Sequence, residues 1–217
     1  MIYFIIVIII LVVVLYIIMR SSFRKQDTTR IELWNGKDIS EWVKFVADST
    51  ALKDTVFYVN NGVIRIGGKP FGYMKTPVVY AGYHLHVDWR WPGQAGNSGV
   101  FLNVSGQDKQ WPATIECQLK SGNAGDFVFL GGSDAAERID KTRLVMPKAE
   151  QSSEKSPGEW NSYDIYNRND SIIVWVNGVK QNSCSHPQPD KGFIGLQSEG
   201  APVEFKNIWL EYLPSRK

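Results

Sequence analysis

Residues 2–19 form an unbroken apolar run that ends at Arg20. As a helix, such a run reaches about 27 Å, close to the hydrocarbon thickness of a bilayer. Many of its residues are β-branched, which weakens a helix in water. In lipid the backbone must satisfy its own polar groups, so helix prevails. No small-x-small cleavage pattern follows, no cationic side chain precedes the run and no Cys stands near it. These features point away from a cleaved signal peptide or a lipoprotein anchor and predict one uncleaved transmembrane helix over residues 1–20. Residues 21–30 are polar and aperiodic and read as a linker. Arg20, Arg24, Lys25 and Arg30 follow the span, a placement that by charge alone favours a cytoplasmic body.

From residue 31 the pattern changes to period two. Residues 83–91 alternate throughout, as do 115–119, 193–196 and 203–210. Asn61-Gly62 and Asn177-Gly178 each separate two strand-like stretches, a hairpin signature. No segment beyond the first span carries a long period of 3.6. A short helix or turn is expected over residues 40–45, and a long loop over 133–155. Regular strands without βαβ alternation predict an all-β, two-sheet jelly-roll sandwich over residues 31–214, too long for an immunoglobulin-type domain.

The chain has 217 residues and a net charge of +2. That length suits one substantial domain or at most two small ones, and the charge leaves no electrostatic footprint for nucleic acid. Two Cys do not make a disulfide scaffold. Eight Trp suit either a sandwich core or flat surfaces for sugars. Gly-x-Ser-x-Gly, His-Glu-x-x-His and phosphate-binding loop patterns are all missing.

Side chains two apart on a strand share a face. In residues 83–91 one face is apolar, and the other carries His84, His86, Asp88 and Arg90. In 114–120, Ile115, Cys117 and Leu119 face a core, and Glu116, Gln118 and Lys120 face away. Gln197 and Glu199 share a face with Phe193. If these strands line one sheet of a jelly roll, carboxylates, amides, an imidazole and Arg90 converge on one groove suited to a sugar. His84 and His86 with Glu116 would be the set for a divalent metal. A solvated sheet face explains each residue taken singly. Asn97 stands in the Gly96-Asn97-Ser98-Gly99 turn, either as a ligand group or as a cap. Trp160 reads as core and Cys184 as a residue of a polar loop.

Several pieces, in order, resemble the 3-keto-disaccharide hydrolase family, also described as 3-keto-glucoside lyase/hydratase domains. They are Leu33-Trp34-Asn35-Gly36, Gly96-Asn97-Ser98-Gly99-Val100-Phe101, Ile115-Glu116-Cys117-Gln118, Ser121-Gly122-Asn123-Ala124-Gly125-Asp126, Gly158-Glu159-Trp160-Asn161 and Gly195-Leu196-Gln197-Ser198-Glu199. The resemblance implies a concanavalin A-like jelly roll and carbohydrate chemistry outside the cytoplasm, so a periplasmic or extracellular domain, against the charge bias. It also implies cleavage of 3-keto-glycosides by elimination across C1–C2 and hydration. A base removes the hydrogen on C2, acidified by the C3 ketone, and the C1 substituent leaves with an acid's help. On this reading Glu116, Glu199 and His86 are the catalytic candidates, with Glu116 the base, or the acid if His86 is the base. Arg90, Asn97, Gln118, Gln197 and Asp126 are the substrate-binding candidates. Where many members carry Arg, this chain has Asn103 and Lys206, and where they carry His it has Glu199. The alternative is a non-catalytic, lectin-like carbohydrate-binding module on the same sandwich.

Overall fold

The computed structural model describes residues 30–214. The predicted anchor, residues 1–20, and the linker up to residue 29 lie outside the described residues. Among the described residues no helix is long and apolar enough to cross a membrane.

Two antiparallel sheets stack into a sandwich. The eight-stranded sheet runs in the spatial order β13 (Val179–Ser185), β12 (Ser171–Val176), β11 (Asn161–Asn167), β6 (Tyr83–Arg90), β15 (Val203–Tyr212), β4 (Val63–Ile66) and β3 (Phe57–Asn60), with β1 (Ile31–Glu32) also paired to β15. The seven-stranded sheet runs β10 (Val145–Met146), β9 (Phe127–Leu130), β8 (Ala113–Gln118), β7 (Gly99–Ser105), β14 (Phe193–Ser198), β5 (Gly72–Lys75) and β2 (Val43–Val46). One short helix, α1 (Lys53–Val56), precedes β3. Residues 40–42 form a turn into β2 rather than a helix, and residues 133–155 are irregular except for β10.

Both Asn-Gly pairs close hairpins as their sequence predicts. Asn61 and Gly62 have φ of 49° and 74°, and Asn177 and Gly178 have 49° and 79°. Two consecutive positive φ values match the right-handed twist of the flanking strands, and Asn and Gly accept them at least cost. The core lies between the sheets. Tyr83, Leu85, Val87 and Trp89 of β6 meet Val100, Leu102, Ile115 and Cys117 from β7 and β8, all fully buried. Cys184 belongs to β13 and is buried, not in a polar loop, and both thiols are free.

The sheets differ on their outer faces. Outward residues of β6 and β11 are half-exposed, the alternation of a solvated face. In the seven-stranded sheet, β5, β7, β8 and β9 are buried almost throughout. A second apolar cluster of Tyr73, Phe101, Val104, Val128 and Leu130, with Trp111, Phe45 and Phe193 against it, covers that face. A polar group on it is therefore in an apolar, desolvated setting.

Candidate active site

Glu116 projects from β8 onto this covered face, paired in register with Phe101 of β7 and Val128 of β9. Its residue is 2% exposed. It fits because β7 begins with a glycine. A Cβ on Gly99 would stand 2.3 Å from Glu116 Oε1, so the carboxyl lies across the bare backbone there. The register of β14 on β7 pairs Leu196 with Val100 and carries Gln197 towards Gly99. Glu199 follows β14, and Asn97 precedes β7. The two segments are joined by backbone bridges, and Asn97 Nδ2 donates to Glu199 Oε2 at 2.7 Å. Ser98 Oγ donates to the Gln197 carbonyl, and Leu119 N–H to the Ser98 carbonyl, which pins the turn between β8 and β14. From the other sheet, Tyr163 OH donates to the Gln118 carbonyl at 2.5 Å and accepts from Gly125 N–H, holding the end of β8.

A cavity of about 310 Å³ opens here, with Glu116, Gln118, Asn97, Glu199, Trp111 and Leu144 among its walls. Asn97 and Glu199 also border a second hollow of about 640 Å³, which reaches Lys120 and Arg65. Seven buried side-chain polar atoms lack a hydrogen bond among the described residues, and four of them are Asn97 Oδ1, Glu116 Oε1 and both amide atoms of Gln197. Each such atom costs about 1–3 kcal/mol. Their concentration around one cavity is what a polar ligand completing the bonds would explain.

Burial raises the Glu116 pKa well above the ordinary glutamate value, and the nearby Glu199 carboxylate raises it further. Burial also raises Glu199, but Gln197 and the Lys120 charge partly offset that. Burial thus favours the protonated form more strongly at Glu116 than at Glu199.

The profile of the 3-keto-alpha-glucoside-1,2-lyase-like domain matches residues 29–211, most of the chain. The chain belongs to this family. Among solved structures, a candidate glycosyl hydrolase from Parabacteroides distasonis is 22% identical with a TM-score of 0.61, covering 85% of this chain and 94% of that one. The carbohydrate-binding module CBM66 from Bacillus subtilis is 10% identical with a TM-score of 0.55, covering 79% and 95%. A Bacillus licheniformis beta-glucanase is 13% identical with a TM-score of 0.53, covering 83% and 95%. At these identities the likeness is one of fold, a jelly roll shared by enzymes and binding modules. No curated protein matches the chain in sequence. The family makes this a carbohydrate-related jelly-roll protein.

The structure assembles part of the expected site and divides the rest. Glu116, Gln118, Asn97 and Glu199 border one cavity, with Gln197 buried beside it. His86 and Arg90 do not join them. Both lie on β6, in the other sheet, and both outer faces point away from the shared core, so the two sets face opposite directions. The expected single groove is corrected accordingly, and the set of His84, His86 and Glu116 for a metal is not assembled. Among the described residues no cluster of three or more His, Cys, Asp or Glu is arranged to hold a metal ion.

The displaced candidates have other partners. His86 contacts Asp164 through Nδ1 at 2.9 Å and Asp88 through Nε2 at 3.1 Å. Burial alone would lower its pKa, but these two carboxylates outweigh it and hold the imidazole up at about 9. Arg90 donates through Nε to Glu204 at 2.7 Å and lies over Trp160, which is half-exposed rather than core. Asp126 does not line the cavity. It accepts the Lys148 N–H and braces the loop after β10. Asn103 is buried at a bulge of β7 with φ of 58°, donating to the Pro189 carbonyl and accepting from Asn167. Two positions that shape the site escaped sequence reasoning: Trp111 and Gly99. Trp111 carried a signal, an aromatic residue in the polar stretch Gln107-Asp108-Lys109-Gln110. Gly99 had none, because its role is the space that it leaves for a residue of the next strand.

Proposed function

We propose that the protein cleaves 3-keto-glycosides by elimination across C1–C2 followed by hydration, and that Glu116 and Glu199 are its acid and base. The observation that carries this reading is the buried Glu116 carboxyl, unpartnered at Oε1 and facing a cavity it shares with Glu199. Two carboxyls with divergent proton affinities are the pattern of an acid/base pair. With His86 on the other sheet, the expected assignment reverses: Glu116 is the acid at rest and Glu199 the base.

Glu199 removes the C2 proton, made acidic by the C3 ketone, and an enolate forms. Gln118 stands on the cavity wall with Oε1 held by the Leu119 and Lys120 N–H groups, which leaves its NH₂ to donate to the enolate oxygen. The C1–O bond breaks, and Glu116 protonates the departing glycosidic oxygen. Water then adds across C1=C2. The ionised Glu116 takes a proton from the water that bonds C1, and Glu199 returns its proton to C2. Each carboxyl ends as it began. Trp111 offers the sugar ring an apolar wall.

The test uses the full chain in detergent with methyl 3-keto-α-glucoside in D₂O. The wild type should exchange the C2 hydrogen and release methanol. Glu199→Gln should lose both. Glu116→Gln should keep exchange, lose methanol release and regain turnover with an aryl leaving group that needs no acid. Binding of the sugar without exchange in the wild type would instead support a non-catalytic binding module. The reading includes an anchor at residues 1–20 and a periplasmic or extracellular domain, where glycosides are met, and a reporter fused to the C-terminus tests that orientation.

A further inference from the structure

The outer face of the eight-stranded sheet, opposite the cavity above, carries a second hollow of about 310 Å³, bordered by Tyr166, Trp175, Asp164 and Gly178. Its size lies at the lower end of small-molecule sites, about 300–1,000 Å³. Trp175 of β12 is 36% exposed, an unusual position for a large aromatic ring. Its presentation follows from the backbone. Ile172, Val174 and Val176 of β12 are buried in the core, and strand alternation puts Trp175 on the outer face. Tyr166 of β11 is held flat by His84, which stacks on its ring at 4.3 Å and 3°. The Tyr166 wall is thus fixed before any ligand arrives.

Asp164 lies directly beside Trp175 in the strand register. It is the polar group between the walls and remains partly exposed. Its Oδ1 contacts His84 Nε2 at 3.0 Å and His86 Nδ1 at 2.9 Å. The imidazoles fix the carboxylate, which shares the His86 charge with Asp88. A fixed acceptor between two ring faces suits the hydroxyl donors of a sugar. At the far end a Cβ on Gly178 would meet nothing within 4 Å, so the hollow is open along the sheet.

From the exposed Trp175, the pinned Tyr166 ring and the Asp164 floor, we infer that this face is a second glycan-binding platform, separate from the cavity, for neutral pyranose units within a longer chain. The C–H face of a pyranose packs on the rings while its hydroxyls bond to Asp164, and neighbouring units continue past Gly178. The platform does not depend on the chemistry proposed for the cavity. It would hold a polysaccharide against the sandwich while the opposite face acts on smaller glycosides.

The experiment is native affinity electrophoresis of the full chain in detergent, through gels containing soluble β-1,3-glucan, dextran or hydroxyethylcellulose. At least one gel should retard the wild type. Trp175→Ala should weaken that retardation by about tenfold or more, as removal of a stacking surface does. Trp175→Phe should retain part of it, and Glu116→Gln all of it. Both Trp175 variants should keep the wild-type melting temperature and the wild-type rate on methyl 3-keto-α-glucoside. Lack of retardation by all three polysaccharides, or retardation equal in wild type and Trp175→Ala, would overturn the platform and leave the cavity reading intact. Competition for Trp175 fluorescence by tetramethylammonium but not by glucose oligosaccharides would replace it with an organic-cation site.

Discussion

Replacing Gly99 with Ala tests the cavity with a single methyl group. The new Cβ would stand 2.3 Å from Glu116 Oε1, 2.6 Å from its Cγ and 2.7 Å from its Cδ. Ordinary contacts lie near 3.5 Å, so the carboxyl must retreat by roughly 1 Å. The crowded atoms are the end of a side chain and not backbone, so the sheet need not move. Overpacking costs about 1–3 kcal/mol, and the loss of glycine's chain entropy in a strand returns about 0.5–1 kcal/mol. The net loss is between about zero and 2.5 kcal/mol. At 2–4 °C per kcal/mol, the melting temperature should drop by no more than roughly 10 °C. Activity should suffer far more, because a catalytic group displaced by about 1 Å can lose 10²-fold in rate. The assay is methanol release from methyl 3-keto-α-glucoside, a substrate that needs the acid, alongside calorimetric melting. In a Glu116→Ala background the methyl group meets vacated space, so Gly99→Ala should add no further loss of rate and should raise the melting temperature. A Gly99→Ala enzyme that keeps its rate within about threefold while gaining stability would refute the placement of Glu116 over Gly99.

Three further outcomes are expected. The folded state holds a proton on Glu116 that the unfolded chain releases above its ordinary value of 4.5. Stability therefore falls as pH rises from 4.5 through the folded pKa, by about 1.4 kcal/mol per pH unit in that window, and Glu116→Gln should flatten the slope in denaturant melts at pH 4.5 and 7.5. For His86 the sign is the same but the window is higher: its pKa is raised to about 9 from 6.5, so its contribution is full below pH 6.5 and lost as pH rises through 9. His86→Gln should thus lower the melting temperature at pH 6 much more than at pH 10, with the rate on keto-glycosides unchanged at both. Tyr163→Phe removes the hydroxyl bonded to the Gln118 carbonyl and Gly125 N–H, and should cost about 1–3 kcal/mol in urea denaturation. A loss below 0.5 kcal/mol, the foot of the ordinary hydrogen-bond range, would show that this contact does not hold β8.

Strands were legible in the chain because side chains alternate with a period of two, whatever sheet the strand joins. The alternation of Tyr83, Leu85, Val87 and Trp89 with His84, His86, Asp88 and Arg90 marked β6 and its inner face without error. Asn-Gly pairs marked two hairpins because positive φ is a local steric matter. Which sheet each strand enters is a non-local choice, settled by pairings between residues far apart along the chain. The pattern that placed polar groups on one face of β6 also placed them on one face of β8. Pairing of β6 with β11 and β15, and of β8 with β7 and β9, sent those faces in opposite directions. His86 and Arg90 were thereby separated from Glu116. Tertiary packing also decided which polar face is wet. Phe101, Val128 and Trp111 cover the seven-stranded sheet and desolvate Glu116, whereas the outer face of β6 meets solvent. A carboxyl's proton affinity follows from that surrounding medium, which residues distant in the chain supply, so local periodicity could name Glu116 but not its protonation.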